Sequence, residues 1–143
     1  MTMIRHAICL ALGAAAPAWA TGPSALIDLP VVASVVVPAS QYQARMPPAA
    51  SMVSALDAAL RVAGTFEGLR QVIVQTHDTP ESPSVSRVVI LRDGLLDDAV
   101  RTQRLELALA RTSAGGWQVT EMKKSWRCRR GEAPLQFDVR PCP

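Results

Sequence analysis

Apolar and polar positions alternate with the period of a β-strand through residues 102–111, where Leu105, Leu107 and Leu109 are separated by Glu106 and Ala108. Gly115-Gly116 breaks the run, and residues 117–128 take it up again. This pattern predicts an antiparallel hairpin, apolar on one face of the outgoing strand, with a tryptophan near each end of the returning one. In the returning strand Trp117 and Val119 share one parity, while Met122, Trp126 and Cys128 share the other. Such a switch implies a bulge near Thr120 and Glu121, or a strand that changes sides.

Upstream of the hairpin the period changes. Met52, Leu56, Ala59, Leu60 and Ala63 recur at three- and four-residue spacing, Asp57 and Arg61 stand four apart with opposite charge, and Gly64 follows. A helix over residues 51–63, capped by Gly64, is the reading. Residues 69–76 and 85–91 are predicted strands, separated by a polar loop over 77–84 that contains two prolines. The unbroken Val88-Val89-Ile90-Leu91 suggests a central strand buried on both sides. Asp93-Gly94 is a strong turn dipeptide, and Asp97-Asp98 interrupts residues 95–100, where a bulge or short irregular connection is expected. Residues 21–43 are rich in Ala, Val, Pro and Ser; the valine runs bracketed by Pro30 and Pro38 favour one short strand held at an edge or left extended. Pro47-Pro48 closes this arm.

Together these elements predict an α+β fold: one main helix packed on a curved antiparallel sheet of three to four strands in meander order, with the C-terminal tail tied by a disulfide. The element order is compatible with the cone of nuclear-transport-factor-like domains or with a cystatin-like roll, an analogy of order alone. The domain organisation expected is a signal peptide over 1–20, an extended Pro/Ala/Val-rich arm over 21–48, and a single domain over 49–143.

The leader changes the charge and cysteine bookkeeping. Arg5 precedes an apolar run over 7–16, and Ala18-Trp19-Ala20 fits the small-x-small cleavage pattern, so a mature chain starting at Thr21 is expected in the periplasm or outside the cell. The run is well short of the roughly 20 residues that cross a bilayer, and no transmembrane segment is expected after cleavage. The mature chain keeps fourteen of the fifteen Lys and Arg and all twelve Asp and Glu, a nearly balanced +2. It loses Cys9 and keeps Cys128 and Cys142. Two cysteines in an exported chain, with no C-x-x-C, read as a disulfide.

Candidate chemistry is sparse. His77, Asp78 and Glu81 would need to converge for metal binding or general base work, and a polar loop is the simpler reading. Asp93, Asp97 and Asp98 form the densest carboxylate group, but their spacing does not fit a calcium loop, and solvated turn and bulge roles are favoured. No nucleophile elbow, zinc motif, phosphate-binding glycine loop or cofactor motif occurs, so neither catalytic nor metal residues are assigned. Trp117, Trp126 and Phe137 are assigned to core filling ahead of a ligand cavity. The remaining signal is basic: Lys123, Lys124, Arg127, Arg129 and Arg130 surround Trp126, and residues 117–143 hold six basic against three acidic side chains. These six residues, Trp126 included, are the candidate docking patch for an acidic protein, a glycan or lipid head groups. Nucleic acid is not expected of an exported protein with so few aromatics. The alternative function is an enclosed small-ligand or catalytic site beneath the helix, lined by residues such as Leu56 and Leu60.

The run Leu91-Arg92-Asp93-Gly94-Leu95-Leu96-Asp97-Asp98, with Val100-Arg101 following, then Trp117 and Trp126-Arg127-Cys128-Arg129-Arg130-Gly131, resembles a group of small exported proteins from Gram-negative bacteria. The similarity covers residues 89–131. The chain departs from the group's pattern at Thr102, where relatives have a small residue, and at Leu105, near which they often carry a tryptophan. The group has no assigned activity, so the resemblance implies export and a shared fold and supplies no catalytic residue.

Overall fold

The computed structural model describes residues 26–46, 48–131 and 135–143. The proposed leader and its cleavage site lie outside the described residues, as does Pro47. The described part is an open five-stranded antiparallel sheet with the order β1-β5-β4-β3-β2. The strands are β1 (Val35–Val36), β2 (Gly68–His77), β3 (Val85–Leu95), β4 (Val100–Arg111) and β5 (Trp117–Cys128). Strands β2 to β5 are the anticipated four-stranded meander. The fifth strand comes from the arm: Val35 and Val36 pair with Lys124 and Lys123 at the edge, where the flanking prolines do not interrupt a ladder.

Register sets the faces. Val88 stands beside Leu107 and Ile90 beside Leu105, while Leu107 stands beside Met122, so these side chains form one apolar surface. The anticipated bulge lies at Thr120: Glu121 pairs with Ala108 and Val119 with Leu109, leaving Thr120 as the extra residue, its hydroxyl donating to Ala108 O at 3.1 Å. The insertion returns Trp117 and Val119 to the face that Met122 occupies, which is why the sequence parity switches without the strand changing sides.

The main helix, α1 (Ala55–Ala63), lies across β3, β4 and β5. It starts later than the apolar spacing suggested because Ser54 is the N-cap, its hydroxyl accepting from Asp57 N, while Ala49–Ser51 forms a separate 3-10 turn. Gly64 ends it with φ +70, as expected, and Arg61 Nε lies 3.4 Å from Asp57 Oδ2. The buried stripe is Ala55, Ala58, Ala59, Val62 and Ala63, with Leu56 and Leu60 only partly covered at its flanks. Small side chains let the helix backbone approach the sheet closely, so the closest contact falls on the alanines. Tyr42, from the arm, and Met52 complete this core.

Part of the opposite face is covered by residues 27–32 and the segment that follows β5. Cys128 and Cys142 are joined, with Cα atoms 5.4 Å apart, as the cysteine count predicted. The tail then folds back along β5: Trp126 and Asp138 exchange main-chain hydrogen bonds at 2.9 and 3.0 Å, and Phe137 is bonded to Pro30 O and Val32 N at 2.8 Å. Phe137 is fully buried, with the Arg104 guanidinium 5.7 Å from its ring, and Arg104 also donates to Ile27 O. No helix among the described residues is long and apolar enough to cross a membrane.

The turn reading of Asp93-Gly94 is corrected. Strand β3 continues through both residues to Leu95, with Gly94 at φ +67 beneath the Leu69 side chain, and the chain reverses at residues 96–99. Asp97 makes that turn, its Oδ1 accepting from Ala99 N at 2.8 Å and Val100 N at 2.6 Å. Asp93 is therefore a buried strand residue rather than a solvated turn residue.

Candidate functional site

Because successive residues of a strand point to opposite faces, β5 divides the six candidate docking residues. Lys124 and Trp126 share the helix side with Met122, and the Lys124 ammonium lies 5.8 Å from the Trp126 ring. Lys123 and Arg127 take the other side. Lys123 Nζ is 3.0 Å from Glu121 Oε1, at the solvated middle of the sheet. Arg127 is nearly buried, beside Asp93 and Arg101; burial chiefly, then the Arg101 charge, lower its pKa, and the Asp93 charge opposes them. Arg129 reaches back across the β3–β4 turn, its Nε donating to Asp97 O at 2.7 Å and its Nη2 to Leu95 O. Arg130 is exposed at the end of the hairpin, with no hydrogen bond or ion pair to another described residue.

These placements leave Arg129 and Arg130 at the hairpin tip, with Asp97 and Asp98 lining the same cleft, rather than a continuous basic strip. Two open clefts meet at Arg130. One, of about 260 Å³, is bounded by Trp126, Cys128, Asp138 and Arg140. Trp126 is held there by its indole N–H, which donates to Arg140 O at 2.9 Å. The other, of about 600 Å³, lies between the β3–β4 turn and the hairpin end and is bounded by Leu69, Leu96, Asp97, Asp98 and Arg129. Leu69 and Leu96 are 88% and 84% exposed, unusually bare for leucines at the ends of ordered strands. Two carboxylates near these clefts are already engaged. Main-chain N–H groups of Val100 and Ala99, then the Arg129 charge, hold the Asp97 pKa low against its desolvation. Asp138 is lowered by Val139 N and by Arg140.

Beside the tip, on the far face, sits a polar cluster that sequence spacing did not reveal. Asp93 Oδ1 accepts from Thr102 Oγ1 at 2.6 Å and Oδ2 from Arg70 Nη2 at 3.0 Å, with Arg101 4.0 Å away. Burial pushes the Asp93 carboxyl up, but the Thr102 and Arg70 hydrogen bonds and the charges of Arg70 and Arg101 outweigh it and hold the pKa below the usual value. Only the register, which places Arg70, Asp93 and Thr102 side by side on three strands, makes the cluster readable.

The His77, Asp78 and Glu81 group does not converge. Asp78 locks its own loop: the Ser84 hydroxyl above all, then the main-chain N–H groups of Val85, Ser84 and Thr79, donate to its carboxylate and outweigh its desolvation, bringing its pKa to about 2. His77 lies at the end of β2 with its ring 6.3 Å from Trp117. Among the described residues no three His, Cys, Asp or Glu side chains are grouped to hold a metal ion. No family model matches the chain, and no curated protein or solved structure is similar to it at a significant level.

Proposed function

We propose that this is an exported, non-catalytic domain that docks on an anionic lipid surface through the basic end of its C-terminal hairpin. The observation that carries the reading is the tip itself: Arg130, without a partner among the described residues, borders two open clefts, one of them also lined by two leucines that the fold leaves bare. Arginine supplies attraction to head-group phosphates, and each basic residue near an anionic membrane surface contributes about 1 kcal/mol. Leu69 and Leu96 supply exposed apolar area of the kind found at membrane and protein contacts, which a glycan would use less well. Lys124 and Trp126 extend the same surface on the helix side; an indole beside a cation suits the boundary between head groups and water. The disulfide is compatible with an oxidising, exported location, and periplasm or medium is where such a surface would meet anionic lipid.

Co-sedimentation with vesicles tests this. Binding to vesicles containing an anionic phospholipid is expected, weakening as salt is raised and absent from purely zwitterionic vesicles. Arg130→Glu should weaken binding at low salt, and Leu69→Ser with Leu96→Ser should reduce what remains at high salt. Equal binding to both vesicle types, or no loss in either variant, would sink the reading.

A further inference from the structure

The two edges of the sheet are treated differently. Strand β1 is two residues long, Pro38 follows shortly after it, and the adjoining stretch of β5 is taken up by the tail at Asp138. Strand β2 is ten residues long, contains neither proline nor lysine, and is the last strand at its end of the sheet, so among the described residues nothing pairs with its outer side. Edges of this kind are usually blunted by such residues or covered. The helix lies over β3 to β5, and on β2 Ile73 and Val74 are exposed.

We propose that β2 is a self-association edge: two copies of this chain pair antiparallel along β2 about a twofold axis at Ile73, joining their two sheets into one. Main-chain direction supports this axis. Asp78 N donates to Val85 O at 3.2 Å. By alternation along an antiparallel pair, Thr76, Val74, Val72 and Arg70 also turn their main-chain groups toward β3. Leu69, Gln71, Ile73, Gln75 and His77 therefore turn theirs to the open side. A twofold axis at Ile73 sets Ile73 against its own copy, Gln71 against Gln75 and Leu69 against His77, and in every one of these pairs both residues present an N–H and a C=O to the other.

Side chains select the same register. About Ile73, aliphatic meets aliphatic, since Val72 faces Val74, and amide meets amide. The strand's one charged residue, Arg70, faces Thr76 and keeps its own Asp93 partner. Moving the axis to Val72 sets Gln71 against Ile73 and Arg70 against Val74, and moving it to Val74 sets Ile73 against Gln75 and Val72 against Thr76. Opposed aliphatic pairs are favourable and like charges directly opposite are not, so the Ile73 axis is the one at which the strand matches itself. A seam one strand wide falls toward the small end of stable interfaces, and the pairing is a concentration-dependent equilibrium.

Sedimentation equilibrium of the oxidised, exported chain across a wide concentration range decides the matter. The native chain should move from monomer to twice that mass as concentration rises. Ile73→Pro removes an N–H that faces outward and takes no part in the β3 ladder, a position where an edge strand accepts proline. It should hold the mass at monomer. Ile73→Lys, which sets two ammonium groups against each other at the axis, should do the same and decides the question if the proline variant fails to fold. Neither variant alters Leu69, Leu96 or Arg130; because Leu69 lies at the end of the seam as well as at the tip, vesicle binding by the monomeric Ile73 variants is what separates loss of dimer from loss of docking. A native chain that stays monomeric up to its solubility limit overturns the proposal. So do folded Ile73 variants that dimerise as well as the native chain.

Discussion

The sheet holds two cores built on opposite principles. On the helix side, Val88, Ile90, Leu105, Leu107 and Leu109 meet the alanine stripe of α1, and closeness of fit does the stabilising. On the far side, Leu91 and Phe137 are buried among Ser125, Thr102, Asp93 and Arg127, under a cover made of residues near the two chain ends. The first surface needs only a helix laid across it. The second needs a lid tied in place and every polar group supplied with a partner, and no buried side-chain polar atom among the described residues lacks one. The lesson is that the disulfide and the polar cluster belong to the same design problem: they let short, irregular tail segments do what a regular element does on the other face.

The comparison breaks most sharply where packing carries everything. Leu107→Ala removes a side chain in the middle of the helix face and should cost about 2 to 5 kcal/mol, with the upper part of that range expected because neighbouring strands cannot collapse into the gap. Chemical denaturation of the oxidised chain measures it. Next comes the lid. Cys128→Ser frees a tail whose closed loop is worth about 3 kcal/mol by the chain-entropy account. Its signature should be local: faster amide exchange at Phe137 and Asp138, with the centres of β3 and β4 still protected. Uniform loss of protection across both faces would mean that the two cores unfold as one unit.

How far each core was legible follows from this difference. The helix face repeats with fixed periods, so the hairpin leucines, the Gly64 cap and the bulge at Thr120 can all be read from spacing. The helix start and its contact line were less readable. Ser54 competes for the cap with a longer apolar pattern, and the alanines of the contact line carry little weight in a search for bulky side chains. The far face has no period at all. Asp93-Gly94 carries a strong local turn signal, yet pairing with Arg70 and Thr102 from two other strands overrides it. The docking candidates suffered from the same blindness to register: consecutive basic residues look like one patch in a sequence, and the pleat of β5 separates Lys123 and Arg127 from Lys124 and Trp126. Arg130 remains at the tip, where it lines one cleft with Leu69 and Leu96, which no local pattern would have joined to it.

The smallest effect is also the most specific. Asp93→Asn keeps the shape of the side chain and removes the charge that Arg70 and Thr102 hold, so it should destabilise by about 1 to 3 kcal/mol at neutral pH. The pH dependence separates this from a packing defect. Asp93 has its pKa lowered in the folded chain, so its ionised form favours folding; that contribution is complete above the unfolded carboxyl pKa of about 3.9 and disappears as pH falls through the lower folded value. The stability gap between the native chain and Asp93→Asn should therefore be constant from neutral pH down to about 5 and close progressively below about 4. The gap produced by Leu107→Ala should persist across the same range, because no titrating group is involved. A gap for Asp93→Asn that also persisted into acid would show that the far face, like the helix face, depends on shape alone.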